Sequence, residues 1–312
     1  MLAVQTKSLS KQYGDVHAIN QLDLQVPRGI IYGFIGRNGA GKTTTIRLLT
    51  GLAKPSSGFA WVAGVPISDH QALSWKIGYL PEEPAFYQWM TPFEFLDHIG
   101  RIFRISSKER RYRINDLLEI VDLKTAANRR IKGFSRGMRQ RLGLAQALIN
   151  QPEVLFLDEP TSALDPEGRR TVLNLILNLK VMHTVFMSTH ILADAEEVCD
   201  RVAIIDRGKL IIEDEKIGLQ KRYSMPILEL ECRPEDAAKF PEILYVFRDE
   251  PWVIDIQIEG TLTKIHAASM EKAQETILSA ILQTQISLVR FEWVEPTLES
   301  IFLNLIGENQ NK

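Results

Sequence analysis

A glycine-rich stretch has the residue types and spacing that are needed to hold phosphate groups. It runs from Gly36 to Thr43 and reads Gly-Arg-Asn-Gly-Ala-Gly-Lys-Thr. An apolar run at residues 30–35 precedes it and a helical pattern follows, so we predict a tight loop between a buried strand and a helix, with backbone N–H groups facing phosphate oxygens. Lys42 is expected to reach the β- and γ-phosphates, and the Thr43 hydroxyl to ligate Mg²⁺. A chance glycine-rich turn is disfavoured by the flanking elements.

Two adjacent carboxylates form a second candidate group. Asp158 and Glu159 follow the apolar run Val154–Leu157. A carboxylate at the end of a buried strand is costly unless it serves a cation or a proton. We predict that Asp158 helps to hold Mg²⁺ and that Glu159 polarises the water that attacks the γ-phosphate. A solvated acidic turn would be the ordinary interpretation of this pair if the phosphate loop were missing.

The elements that must position these residues alternate between strand and helix over the first two hundred or so residues. Short unbroken apolar runs predict strands of a mostly parallel sheet that is buried on both faces, at Ile30–Ile35, Val154–Leu157, Thr184–Met187 and Val202–Ile205. Helical spacing at Thr43–Leu52 and Arg139–Ile149 predicts helices between them. Residues Pro92–Arg141 contain mostly helical patterns, which predict a helical subdomain over about residues 84–150, inserted between two core strands.

The pattern changes near residue 225, where strands begin to alternate apolar and polar side chains. The predicted order is Ile227–Cys232 (strand), Pro234–Phe240 (helix), Trp252–Glu259 and Leu262–Ala267 (strands), Met270–Leu282 (helix), Ile286–Trp293 (strand) and Thr297–Ile306 (helix). This order favours a small α+β, ferredoxin-like domain. We therefore predict an α/β domain over residues 1–218 and an α+β domain over residues 225–312.

Composition limits the possible functions. The 312 residues are 45% hydrophobic and 24% charged, with 37 basic and 39 acidic side chains, as in a soluble globular protein. The net charge of −2 offers no electrostatic argument for a nucleic-acid partner. We expect no transmembrane span and no secretion signal, and we interpret Cys199 and Cys232 as reduced packing residues in the cytosol.

Six motifs in a fixed order show a resemblance to the ATP-binding cassette (ABC) ATPases, a family with the P-loop NTPase fold. Besides the phosphate loop, Phe134-Ser-Arg-Gly-Met-Arg-Gln140 stands where that family has its signature, and residues 158–165 resemble its Walker B element and D-loop. The other three are Tyr13, the Q-loop segment that ends at Glu82, and the switch histidine, His190.

The resemblance implies a role for each matching residue. Catalytic roles are implied for Lys42, Glu159 and His190, and Mg²⁺ contacts for Thr43, Glu82 and Asp158. Contacts with ATP bound by a second chain are implied for Ser135, Gly137 and Asp165. Direct nucleotide contacts are implied for Tyr13, which would stack on adenine, and for the phosphate loop with the next residue: Gly36, Arg37, Asn38, Gly39, Ala40, Gly41, Lys42, Thr43 and Thr44.

Three positions depart from the usual family pattern. Arg136 replaces a signature glycine, Met138 replaces the signature glutamine, and Glu82 replaces the Q-loop glutamine. None of them removes a group that hydrolysis requires, so we expect a competent ATPase.

The family resemblance also implies partners. ATP and Mg²⁺ would bind between two cassettes, in a homodimer or a pseudo-symmetric dimer, and the dimer would drive an integral membrane permease made by a separate chain. The aromatic run Pro84–Phe95 would help to form the docking groove, although packing within the subdomain's own core accounts for more than half of these rings. The layout is similar to ATP-binding subunits of bacterial two-component exporters, located peripherally on the cytoplasmic face of the membrane. A cytosolic, non-transport ABC ATPase with a regulatory role is the alternative.

Overall fold

The computed structural model describes residues 2–222, 226–284, 286–294 and 297–302. The chain divides into two compact units, Met1–Lys216 and Ile217–Lys312. Among the described residues, no helix combines the length and the apolar character that a membrane crossing requires.

The elements of the first unit are numbered in chain order. Its strands are β1 (Leu2–Tyr13), β2 (Val16–Leu22), β3 (Gln25–Pro27), β4 (Ile31–Ile35), β5 (Ser57–Val62), β6 (Val65–Pro66), β7 (Ile77–Leu80), β8 (Val154–Asp158), β9 (Thr184–Thr189), β10 (Arg201–Asp206) and β11 (Lys209–Glu215). Its helices are α1 (Lys42–Leu49), α2 (His70–Lys76), α3 (Pro92–Ile102), α4 (Ser107–Ile120), α5 (Arg136–Leu148), α6 (Pro166–Leu179) and α7 (Leu192–Val198).

A six-stranded sheet with the order β11-β10-β4-β9-β8-β7 positions the candidate residues. All its neighbouring strands are parallel except β10 and β11. Every residue of β4, β8 and β9 is buried, which explains the unbroken apolar runs and confirms the predicted mostly parallel sheet. The phosphate loop and both candidate carboxylates lie where strands of this sheet end.

A second sheet in the first unit was not predicted from the sequence. Its strands pair antiparallel in the order β2-β1-β5-β6, and β3 also pairs with β1. Side chains from both sheets and from α1 share one apolar core, including Val4, Leu22, Phe34, Leu48 and Phe186.

Helices α3, α4 and α5 form the predicted helical subdomain, inserted between β7 and β8. Thr91 caps α3 in a reciprocal capping box with Glu94. The buried Arg110 of α4 pairs with Asp97 of α3 at 2.5 Å, and this contact joins the two helices.

Helix α8 (Lys216–Arg222) leads into the second unit, which contains β12 (Ile227–Cys232), α9 (Phe240–Tyr245), β13 (Val253–Glu259), β14 (Leu262–Ala267), α10 (Met270–Thr284) and β15 (Leu288–Val294). The sheet order is β13-β14-β12-β15, and all three pairings are antiparallel. Strand β14 thus lies between β12 and β13, the two strands that α9 joins, as in the predicted ferredoxin-like arrangement.

Two details of the second unit differ from the sequence prediction or fall outside the described residues. The helix predicted at Pro234–Phe240 is wrong: a short 3-10 turn occupies Pro234–Asp236, and α9 begins only at Phe240, with a proline in its first turn. Proline fits a helix start but not a helix interior, so it favours a new helix at that point. Of the predicted helix Thr297–Ile306, residues 298–302 are helical and residues 303–306 lie outside the described part of the chain.

Candidate functional site

The phosphate loop joins the end of β4 to α1 and depends on glycine for its shape. Gly39 and Gly41 have φ values of 81° and 111°, which are strained for other residues. A Cβ atom at Gly41 would lie 2.6 Å from the carbonyl oxygen of Ala18, so the loop packs directly against β2. Helix α1 begins at Lys42 and ends at Leu49, earlier than the predicted Leu52, because the chain turns at Gly51 with a φ of 74°.

Lys42 is buried at the centre of the site. Its ammonium lies 2.8 Å from the carbonyl oxygen of Gly36 and 3.3 Å from that of Arg37. It also lies 3.1 Å from Oε1 of Glu159, and both side chains of this ion pair are 6% exposed. The low exposure makes the pair electrostatically strong and makes the loss of either partner costly.

Asp158 is held by two hydroxyl groups at the end of β8. Its Oδ1 accepts hydrogen bonds from Ser188 at 2.6 Å and from Thr43 at 3.3 Å. Burial raises the pKa of the Asp158 carboxyl, and these two hydrogen bonds oppose the rise.

The oxygen donors of this cluster fit Mg²⁺. The Thr43 hydroxyl and the Asp158 carboxylate lie 3.3 Å apart, and Thr43 and the exposed Glu82 line one cleft, which Asp158 itself does not line. Among the described residues, no group of three or more His, Cys, Asp or Glu side chains could hold a metal ion alone. A few protein oxygens completed by substrate phosphates and water are typical of Mg²⁺ sites at nucleotides.

Glu159 and His190 form a second pair at the ends of β8 and β9. Nδ1 of His190 lies 2.7 Å from Oε2 of Glu159. The backbone of Glu159 has a φ of 49°, an unusual value for a residue other than glycine, and its N–H donates to the Ser188 hydroxyl at 3.1 Å. This strained turn directs the carboxylate toward both Lys42 and His190.

One cleft of about 760 Å³ brings most of the predicted nucleotide and catalytic residues together, a volume suited to a small-molecule ligand. The predicted residues that line it are Asn38, Gly39, Gly41, Lys42, Thr43, Thr44, Glu82, Glu159 and His190. Five lining residues were not predicted: Val16, His17, Ala18, Ser162 and Arg207.

Tyr13 is not among the lining residues of the cleft. It ends β1, three positions before Val16, and is 50% exposed. The ammonium of Lys11 lies 4.7 Å from the centre of its ring. Gly36, Arg37 and Ala40 also do not line the cleft, although they belong to the phosphate loop that forms its wall.

The signature residues lie in a separate depression of about 410 Å³, together with Asp165. Ser135 is the N-cap of α5 and accepts a hydrogen bond from the backbone N–H of Met138, so the helix starts earlier than the predicted Arg139. Asp165 caps α6 in the same way. The depression therefore presents Ser135 and Gly137 beside the N-terminus of α5, which favours anions, and Asp165 at the N-terminus of α6, which its own carboxylate caps.

Three further residues support the site but were not identified from the sequence. Ser188 orients Asp158, and Arg207 lines the cleft from the β10–β11 turn. Asp194 is fully buried on α7 and accepts hydrogen bonds from the Thr161 hydroxyl and from Arg169. Only a turn signal, Asp-Arg-Gly-Lys after an apolar strand, marks the position of Arg207 in the sequence.

Known protein families and relatives are similar to this chain. Residues 19–162 match the family model described as ABC transporter, and residues 218–306 match the model described as ATP-binding protein DrrA1-3-like, C-terminal domain. The uncharacterized ABC transporter ATP-binding protein YxlF of Bacillus subtilis is 37% identical over 98% of this chain and 99% of its own length. The Nod factor export ATP-binding protein I of Cupriavidus pinatubonensis is 34% identical over 97% of this chain and 90% of its own.

A solved structure extends the likeness to three dimensions. It is a dimeric ATP-binding cassette in a post-hydrolysis state bound to ADP and Pi, with a TM-score of 0.62 and 26% identity over 68% of this chain and 98% of that one. The cleft, the sheet order and the full-length relatives lead to one conclusion: the chain belongs to the ATP-binding proteins of ABC transporters and is an ATPase.

Proposed function

We propose that this protein is the ATP-hydrolysing subunit of an ABC exporter, which powers a separate membrane permease by ATP-driven dimerisation at the cytoplasmic face of the cell membrane. The observation that carries the proposal is that Lys42 of the phosphate loop, Glu159 and His190 line one cleft and contact one another in sequence. In this proposal residues 1–218 form the cassette, and residues 225–312 form an accessory domain.

Each residue of the site has a separate role in ATP hydrolysis. Lys42 binds the β- and γ-phosphates, Glu159 accepts a proton from the attacking water, and His190 holds Glu159 in position through their 2.7 Å contact. Thr43, Asp158 and Glu82 would hold Mg²⁺, which when bound neutralises charge on the phosphates. Tyr13 would cover the adenine from the adjacent hairpin.

Dimerisation is supported by the separation of the two depressions. Ser135, Gly137 and Asp165 line a depression that shares no residue with the ATP cleft of the same chain. We propose that they contact the γ-phosphate of ATP bound by a second cassette. The dimeric state of the solved structure described above supports this arrangement.

A surface groove supports permease binding. It has a volume of about 380 Å³ and is lined partly by Leu52, Tyr79, Ile99 and Phe103. Leu52 is 65% exposed, so the groove presents an apolar side chain to solvent. We propose that an apolar segment of the permease occupies this groove.

The predicted aromatic run gives further support to permease binding. Tyr87 and Trp89 are exposed, at 52% and 65%, and Phe95 is buried in the subdomain. The run therefore presents aromatic surface in addition to core packing, as protein interfaces commonly do. The direction of transport rests on the relative named as a Nod factor export protein.

Co-expression with each polytopic membrane protein whose gene neighbours this one tests the proposal. We expect the two chains to co-elute in detergent, and the Leu52→Glu/Phe103→Glu variant to lose the complex while retaining ATP binding. Phe59→Glu is the matched control, because Phe59 is 66% exposed but does not line the groove. The proposal is wrong if the membrane protein never co-elutes, or if control and groove variants behave alike.

A further inference from the structure

Arg207 is a cation at the ATP cleft that the family motifs do not include. It occupies the turn between β10 and β11 and lines the cleft with Lys42 and the phosphate loop. Its side chain is 83% exposed, and its ion-pair contact is a long one of 4.0 Å to the neighbouring Asp206. The guanidinium is therefore available to a ligand in the cleft.

The turn that carries Arg207 is fixed against the phosphate loop. The N–H of Gly208 donates to the carbonyl oxygen of Ala40 at 2.9 Å, and its own carbonyl accepts from the N–H of Asn20 at 2.8 Å. A Cβ at Gly208, where φ is 76°, would lie 2.7 Å from the carbonyl oxygen of Ala18. The backbone beside Arg207 is thus held by both the phosphate loop and β2.

The sheet order determines which end of the nucleotide Arg207 faces. Strand β4, which leads into the phosphate loop, lies between β10 on one side and β9 on the other, with β8 beyond β9. His190 and Glu159 follow β9 and β8, whereas Arg207 follows β10. Arg207 is therefore on the opposite side of the phosphate loop from the groups that face the γ-phosphate in the proposed function.

The charge of the lining also favours a phosphate ligand for Arg207. Lys42 contributes one positive charge, and Glu82 and Glu159 contribute two negative charges, so these residues together repel a polyanion. The positive charge of Arg207 cancels the remaining negative charge, so that the lining is formally neutral when the histidines are counted as uncharged. A guanidinium is well suited to phosphate oxygens.

We propose that Arg207 binds the α-phosphate of the nucleotide, which makes it an affinity determinant on the side of the cleft away from hydrolysis. This inference rests on the proposed nucleotide role of the cleft. Because the contact does not involve the γ-phosphate, it stabilises bound ATP and bound ADP equally.

Equilibrium binding of ATP and ADP to the full chain tests the proposal. Arg207→Gln should raise the Kd of both nucleotides by about three- to tenfold, as for an exposed charge-assisted contact, and the loss should shrink as salt is added. Arg207→Lys should retain part of the affinity. Lys209→Gln is the matched control, since Lys209 is exposed at the start of β11, directly after this turn, and does not line the cleft, and its Kd values should equal those of the wild type.

Four results would overturn the assignment: an unchanged Kd in Arg207→Gln, a loss confined to ATP, a loss unaffected by salt, or an equal loss in Lys209→Gln. Wild-type protein that binds no nucleotide would instead contradict the proposed function as a whole. The two failures are therefore distinguishable in one titration series.

Discussion

Glu159 contacts Lys42 and His190 through different oxygens of one carboxylate. Oε1 lies 3.1 Å from the ammonium of Lys42, and Oε2 lies 2.7 Å from Nδ1 of His190. A single negative charge thus joins the phosphate loop after β4 to the turns after β8 and β9. Replacing Lys42 or His190 should therefore alter ATP binding and ATP hydrolysis to different extents.

Replacement of Glu159 by glutamine should separate ATP binding from hydrolysis. Glutamine keeps the shape and can still contact His190, but it cannot accept a proton from water, so turnover should fall by about 10²–10⁴-fold. Steady-state phosphate release measures this loss, and size-exclusion chromatography with ATP should show an accumulated dimer. Glu153→Gln serves as a control, because Glu153 does not line the cleft. Normal hydrolysis in Glu159→Gln would contradict the catalytic role.

Replacement of Lys42 by alanine should weaken both nucleotide binding and the fold. The change removes the phosphate-binding cation and leaves the Glu159 carboxylate, 6% exposed, without its ion-pair partner. Breaking such a pair costs about 3–5 kcal/mol of unfolding free energy. Urea unfolding and ATP titration measure the two effects separately. The double variant Lys42→Ala/Glu159→Gln should recover stability but not ATP affinity, and recovery of both would contradict the assigned role of Lys42.

Contiguous parts of the site could be predicted from the sequence, whereas parts assembled by the sheet could not. The phosphate loop and the Asp158–Glu159 pair are local, because each follows directly from a strand and the turn after it. Ser188 and Arg207 reach the site only because β9 and β10 flank β4, an order that hydrophobic patterns do not encode. The second, antiparallel sheet was missed because β1 pairs with β3 and β5 across long sequence separations, although β1–β2 and β5–β6 are local hairpins.

Asp194 should support turnover without touching the nucleotide. It is fully buried, and its two oxygens join Thr161, near the Walker B end, to Arg169 on α6. Asp194→Asn keeps the volume but loses the charge opposite Arg169, so we expect a stability loss of about 1–3 kcal/mol and slower hydrolysis with an unchanged ATP Kd. The exposed neighbour Glu197, changed to glutamine, is the control. Normal stability of Asp194→Asn would show that this network contributes nothing to the fold.

Asp97 should give the helical subdomain a pH-dependent stability. Burial acts to raise the pKa of its carboxyl, but hydrogen bonds from Arg110 and Arg101 outweigh it and lower the pKa. Because its pKa is lower in the folded state, ionised Asp97 stabilises the fold at pH values above the unfolded-state pKa of about 4. This stabilisation is lost as the pH falls through the folded-state pKa of Asp97.

Asp97→Asn tests this contribution. The variant should be less stable by about 1–3 kcal/mol near neutral pH, because Arg110 is 9% exposed and loses its carboxylate partner. The difference from the wild type should narrow as the pH falls below about 4. Denaturant unfolding monitored at several pH values measures it. If the stability difference between Asp97→Asn and the wild type does not change with pH, the shape of the side chain and not its charge causes the loss of stability.

The two cysteines should report the unfolding of one unit each. Cys199 is 2% exposed in the first unit and Cys232 is 1% exposed in the second, and burial raises the pKa of both thiols. Since the thiolate is the reactive form, both should resist a thiol reagent until their surroundings open. The single-cysteine variants Cys199→Ser and Cys232→Ser, labelled in increasing urea, should each become reactive with the loss of structure of the unit that retains the thiol. Rapid labelling without denaturant would show that the surrounding core, such as the close approach of Cys199 to Gly33, opens in the native protein.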